Sequence, residues 1–166
     1  MIEKKIIPII GIDKNNKGYN TISLQSFSGY YSNGYHFRKV AGFNLIKDFS
    51  FFKDQSPLNF NNHYVSVIDE AVFDYGFKLI STQKRAFLYI LTINSHLPFH
   101  LEGKKSELQS QSDRIIEQFT QFANLLKKYP VNKLVIVGDH PPPFYTRREI
   151  DQYSSKFVPA VIITHK

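Results

Sequence analysis

Two runs of β-forming apolar residues constrain this chain more than any other feature: Phe87-Leu88-Tyr89-Ile90-Leu91-Thr92-Ile93 and Lys133-Leu134-Val135-Ile136-Val137. Their apolar side chains are continuous and do not alternate with polar ones, which suits strands covered on both faces. A helical pattern precedes each. Before the first run, Ile68, Val72, Tyr75 and Leu79 recur at helical spacing, which predicts an amphipathic helix from about Val65 to Thr82. Asp69, Glu70 and Asp74 fall on its other faces, and Asp69 and Glu70 are expected to point to solvent.

Before the second run, Gly103–Gln111 is polar and reads as an exposed connection. Ser112 is then placed to cap a helix with Asp113 in its first turn, and Ile115, Phe119, Phe122 and Leu126 form its apolar stripe. Lys127-Lys128 suit the negative end of that helix, and Pro130 ends it. Ala160-Val161-Ile162-Ile163 is a third strand candidate. Helix–strand–helix–strand order predicts an α/β fold with a largely parallel sheet flanked by helices and right-handed crossovers.

Residues 1–62 carry weaker periodicity. Asn20–Gln25 alternates and is a candidate short strand, Ser26–Gly34 holds turn formers, and Tyr35–Ala41 reads as a helical turn with Gly42 beyond its end. At 166 residues the chain is one domain's worth of material, and residues 1–166 are taken as a single domain. The absence of cysteine excludes disulfide scaffolds, thiol nucleophiles and thiolate metal sites. No stretch approaches the roughly 20 apolar residues of a membrane span, and no export signal is evident. The net charge of +7 comes mostly from dispersed lysines and paired clusters such as Arg147-Arg148, so no nucleic-acid partner is expected.

Both apolar runs end in polar clusters. The first leads into Asn94-Ser95-His96-Leu97-Pro98-Phe99-His100, the second into Gly138-Asp139-His140-Pro141-Pro142-Pro143. If the two strands are parallel neighbours, both clusters emerge at the carboxyl edge of the sheet, where open α/β folds place ligands. Asp139 and His140 offer a carboxylate oxygen and an imidazole nitrogen, donors suited to zinc or manganese. Alternatively, Asp139 caps a turn and His140 is exposed. His96 is open to substrate contact, proton transfer, ligation of a second ion, or a plain loop role. His100 is a lesser candidate beside it, and His36, His63 and His165 read as structural or surface residues.

Leu91–Phe99 followed by Val135–Phe144 resembles the C-terminal half of sulfatase-like enzymes of the alkaline phosphatase superfamily, in particular the bacterial phosphoethanolamine and phosphoglycerol transferases. Gly18-Tyr19-Asn20-Thr21, the aromatic loop to Tyr31, Ala41-Gly42-Phe43 and Val158-Pro159-Ala160-Val161-Ile162 fall in the same order. The resemblance implies that Asp139 and His140 are metal ligands and that His96 lies near the phosphate or sulfate; His100 is taken as a second substrate-binding candidate from its place in the same segment. It further implies a metal-activated Thr or Ser attacking a phospholipid-like donor, with transfer to an envelope acceptor or to water.

In such enzymes the nucleophile and the early acidic ligands lie upstream of the segment matched by Gly18-Tyr19, and only 17 residues precede Gly18 here. Thr21 and Ser23 are not in the nucleophile's place. The chain is therefore expected to supply the C-terminal half of the site, with a separate N-terminal half as a partner. The complete enzyme would sit in the cytoplasmic membrane with its catalytic domain outside. A non-catalytic remnant or interaction module keeping the fold is the alternative.

Overall fold

The structure, a computed structural model, describes residues 10–59, 65–93, 107–138 and 160–164. In chain order the elements are α1 (Ile10–Asn16), β1 (Asn20–Gln25), a 3-10 turn (Tyr31–Asn33), α2 (Gly34–Val40), β2 (Leu45–Lys47), α3 (Phe49–Phe52), β3 (Leu58–Asn59), β4 (Ser66–Val67), α4 (Asp69–Ser81), β5 (Ala86–Leu91), α5 (Glu107–Lys128), β6 (Lys133–Val137) and β7 (Ala160–Thr164).

β1 is the centre of a three-stranded parallel sheet in the order β2-β1-β5. Ile22 lies opposite both Leu45 and Leu88, and Leu24 opposite Lys47 and Ile90. Because strand side chains alternate, Ile22 and Leu24 share one face and Thr21, Ser23 and Gln25 the other. All five are buried. The apolar face packs with Phe52, Val67 and Val72 into the core, joined by Leu88, Ile90, Tyr75 and Leu79. On the polar face Thr21 Oγ1 lies within hydrogen-bond distance of Asn15 Oδ1, Asn44 Oδ1 and the Gly42 carbonyl, which ties α1 and the end of α2 to the strand.

Helix α4 lies close on the sheet because Gly76 has no side chain. A Cβ there would stand 2.9 Å from methyl carbons of both Leu24 and Leu88. The expected helix is confirmed, but it starts at Asp69 and not at Val65. Ser66 and Val67 form β4 instead, paired antiparallel with β3, and the Val67 N–H donates to the Ser26 carbonyl at 2.9 Å. These tertiary hydrogen bonds override the local helical spacing. Gly42 takes up a left-handed conformation (φ +84°) after α2, as a glycine beyond a helix end should.

Helix α5 starts at Glu107, so Ser112 lies inside it and is not its cap. The polar stretch before Ser112 is helical because Glu and Gln are good helix formers, and Gln109 reaches Asp113 one turn on, at 2.8 Å. α5 runs beside α4 through Phe122 on Phe73, with ring centroids 4.6 Å apart, and Gln121 on Glu70 at 2.6 Å. Ile115 and Phe119 of the expected stripe are exposed.

The chain is α/β with a parallel sheet flanked by helices, as expected. The pairing of β6 differs from a simple parallel extension. It forms an antiparallel ladder with β7 from Lys133↔Thr164 to Val137↔Ala160, and among the described residues it does not pair with β5. An apolar run specifies strand character but not the identity of its partner, nor the cover expected on both faces: Val135 and Val137 are exposed, and so is β7 opposite them. Among the described residues no helix is long and apolar enough to cross a membrane.

Candidate functional site at the carboxyl edge of the sheet

All three strands of the parallel sheet end at one rim, where β1 runs into Ser26–Gly29, β2 into Asp48 and β5 into Thr92-Ile93. In open α/β folds this rim forms the ligand crevice. Two buried carboxylates organise it.

The first is Asp69, only 1 % exposed. Its carboxylate accepts from the Ser26 hydroxyl at 2.5 Å, the Ile93 N–H at 3.2 Å and the Gln118 amide at 3.0 Å. It therefore ties the exits of β1 and β5 to α5. This corrects the expectation that Asp69 faces solvent. The preceding Ile68 is extended, so Asp69 opens the helix and its side chain turns back over the helix start, toward the strand ends. A negative charge is favourable there, at the positive end of the helix dipole. Glu70 is likewise engaged, by Gln121, and not simply solvated.

The second is Asp48, which caps α3. One oxygen accepts from the Ser50 N–H at 3.0 Å and the Ser50 hydroxyl at 2.6 Å. The other accepts from the Gly29 N–H at 2.7 Å, which fastens the loop after β1 to the end of β2. Phe27 carries the same loop inward, its carbonyl accepting from the Phe49 N–H and the Gln25 side-chain amide.

Arg38 of α2 is buried near this loop. Burial pushes its guanidinium below its usual pKa, against the opposing fields of Tyr89 and Asp48. Composition and periodicity gave no sign of this residue's burial. The short helix carrying it reads in the sequence only as a helical turn.

His96, His100, Asp139 and His140 lie outside the described residues. Ile93, which directly precedes the first cluster, and Gly138, which opens the second, are described, and Ile93 is buried against Asp69. Among the described residues no three His, Asp or Glu side chains gather to hold a metal ion. The Asp139 and His140 pair has donor chemistry that fits a divalent cation. His36 is exposed, in line with a surface role, and Thr21 and Ser23 are fully buried.

No family model matches the sequence, and no curated protein matches it. Solved structures do share its fold. The lipoteichoic acid synthase LtaP from Listeria monocytogenes superposes with a TM-score of 0.65 at 20% identity, over 87% of this chain and 40% of that one. A protein in the alkaline phosphatase superfamily from Vibrio parahaemolyticus gives 0.64 at 18% identity, over 93% of this chain and 40% of that one. The phosphoglycerol transferase GacH from Streptococcus pyogenes, solved with sn-glycerol-1-phosphate, gives 0.66 at 22% identity, over 89% and 44%. The fold is that of part of an alkaline-phosphatase-like domain, and the chain spans less than half the length of the structures it matches.

Proposed function

We propose that this chain supplies part of the active site of a sulfatase-like phosphotransferase or hydrolase acting on envelope lipid or glycan head groups. The observation that carries the reading is the anchoring of Ile93, the residue before Asn94-Ser95-His96 in sequence, at the rim where β5 ends, in a fold shared with LtaP and GacH. In this reading Asp139 and His140 hold a divalent cation, zinc or manganese. Such a cation offsets charge on phosphoryl oxygens and lowers the pKa of an attacking hydroxyl. His96 binds the phosphate or holds a proton beside it, and His100 lines the substrate.

The donor is phospholipid-like and the acceptor an envelope hydroxyl. The rest of the fold, including the nucleophile, comes from further polypeptide, and the complete enzyme sits at the cytoplasmic membrane with its catalytic part outside. Titration of the full chain with Zn²⁺ or Mn²⁺ tests the reading. Binding should be weakened by Asp139→Ala and by His140→Ala, and binding unchanged in both variants would overturn it.

A further inference from the structure

We infer that Arg38 is the receptor for a tetrahedral oxyanion of the phosphate-ester class at the carboxyl edge of the sheet. The choice of phosphate rests on the proposed function; the site itself rests on the surroundings of the guanidinium. Arg38 is only 6 % exposed, and its Nε and Nη1 are buried without a hydrogen-bond acceptor. These atoms lie on different edges of the planar guanidinium, so each edge keeps an unused donor.

The nearest carboxylate does not answer this need. Asp48 turns one oxygen to Ser50 and the other to the Gly29 N–H, and its field reaches Arg38 without an ion pair between them. The backbone is drawn in around the group. The Tyr35 N–H donates to the Gly29 carbonyl, bringing Gly29 against the start of α2. A Cβ on Gly34 would stand 2.9 Å from Arg38 Nη1, and one on Gly29 would stand 2.6 Å from Asp48 Oδ2.

A guanidinium in this setting lacks what an oxyanion brings, charged acceptors held directly against its N–H groups. Arginine binds phosphate oxygens through two parallel N–H bonds, which lysine cannot reproduce. Arg38 also lies near the exits of β1 and β2, at the rim where β5 ends as well.

The test uses the full chain in EDTA, so that no metal site contributes, with inorganic phosphate as the probe. Phosphate should shift the Arg38 Nε–H resonance saturably in ¹H–¹⁵N spectra, and chloride at matched ionic strength should not. Arg38→Gln should weaken phosphate binding about tenfold or more, the loss expected when a charge-assisted hydrogen bond is removed. Arg38→Lys should recover only part of it.

An Nε–H resonance that phosphate leaves unmoved overturns the inference even if the variants fail to fold. So does a folded Arg38→Gln that binds phosphate like the wild type. Metal binding unchanged in Asp139→Ala and His140→Ala, with a saturable phosphate response at Arg38, overturns the proposed function and leaves Arg38 supported. Metal binding weakened in those variants without a phosphate response at Arg38 removes Arg38 alone.

Discussion

The carboxylate of Asp69 accepts a hydrogen bond from the backbone N–H of Ile93 at 3.2 Å, joining the first residue of α4 to the end of β5 across 24 positions of chain. This bond fixes where the strand stops and where the Asn94–His100 segment begins.

Asp69→Ala should remove an acceptor shared by Ser26, Ile93 and Gln118 and leave these donors without it. We expect a loss of about 2–4 kcal/mol in urea unfolding, the range for a broken buried hydrogen-bond network. Asp69→Asn, which keeps an acceptor oxygen, should cost less. Amide exchange at Ile93 should quicken in the alanine variant. Unchanged exchange would show that the carboxylate does not hold the strand exit.

Gly76→Ala sets two effects against each other. Alanine is favoured over glycine by about 1 kcal/mol in a helix interior. Its Cβ, however, would meet methyl carbons of Leu24 and Leu88 at 2.9 Å and of Ile90 at 3.2 Å, and overpacking typically costs about 1–3 kcal/mol. The crowding should win, with net destabilisation of about 1 kcal/mol in thermal or denaturant unfolding.

Thr21→Val keeps shape but deletes the hydroxyl that meets Asn15, Gly42 and Asn44. Stability should fall by about 1–3 kcal/mol, since buried polar partners are left unanswered. Phosphate binding by the folded variant should not change, because the bonds of Thr21 run to α1 and to the segment after α2 and none reaches Arg38. A Thr21→Val protein as stable as the wild type would remove the hydroxyl from the fold's hydrogen-bond network.

Ile162→Thr and Ile116→Gln should each change stability by less than about 0.5 kcal/mol, as surface substitutions do. The two positions are 61 % and 64 % exposed. Apolar side chains so open promote association, so both variants should self-associate less at high concentration in sedimentation experiments. A large stability loss on either change would mean that these side chains are packed.

The order of helices and strands was legible in the sequence because continuous apolar runs and helical spacing are local properties. β5, β6, β7 and the body of α4 follow from such runs, and Gly42 announced the end of α2. Pairing was not legible. Val135-Ile136-Val137 is as apolar as any strand of a parallel sheet, yet its ladder is antiparallel, with β7. The rim was also half hidden. Asp69 carries the charge of a surface residue and becomes a core residue only through Ser26, Ile93 and Gln118, partners distant in sequence. Arg38 sits in a short helix of unremarkable composition, and its burial depends on Gly29, Gly34 and Asp48 converging from separate segments.

The position of β1 at the middle of its sheet has a consequence for biosynthesis. The strand leaves the ribosome well before one of its neighbours, since the residue that lies against Ile22 on one side is Leu88. At ordinary rates of translation that partner arrives on the order of seconds later. Until then the backbone edge facing β5 has no neighbour, so the nascent chain should recruit chaperones more strongly before β5 emerges than after it, and truncations ending before β5 should be the ones that aggregate.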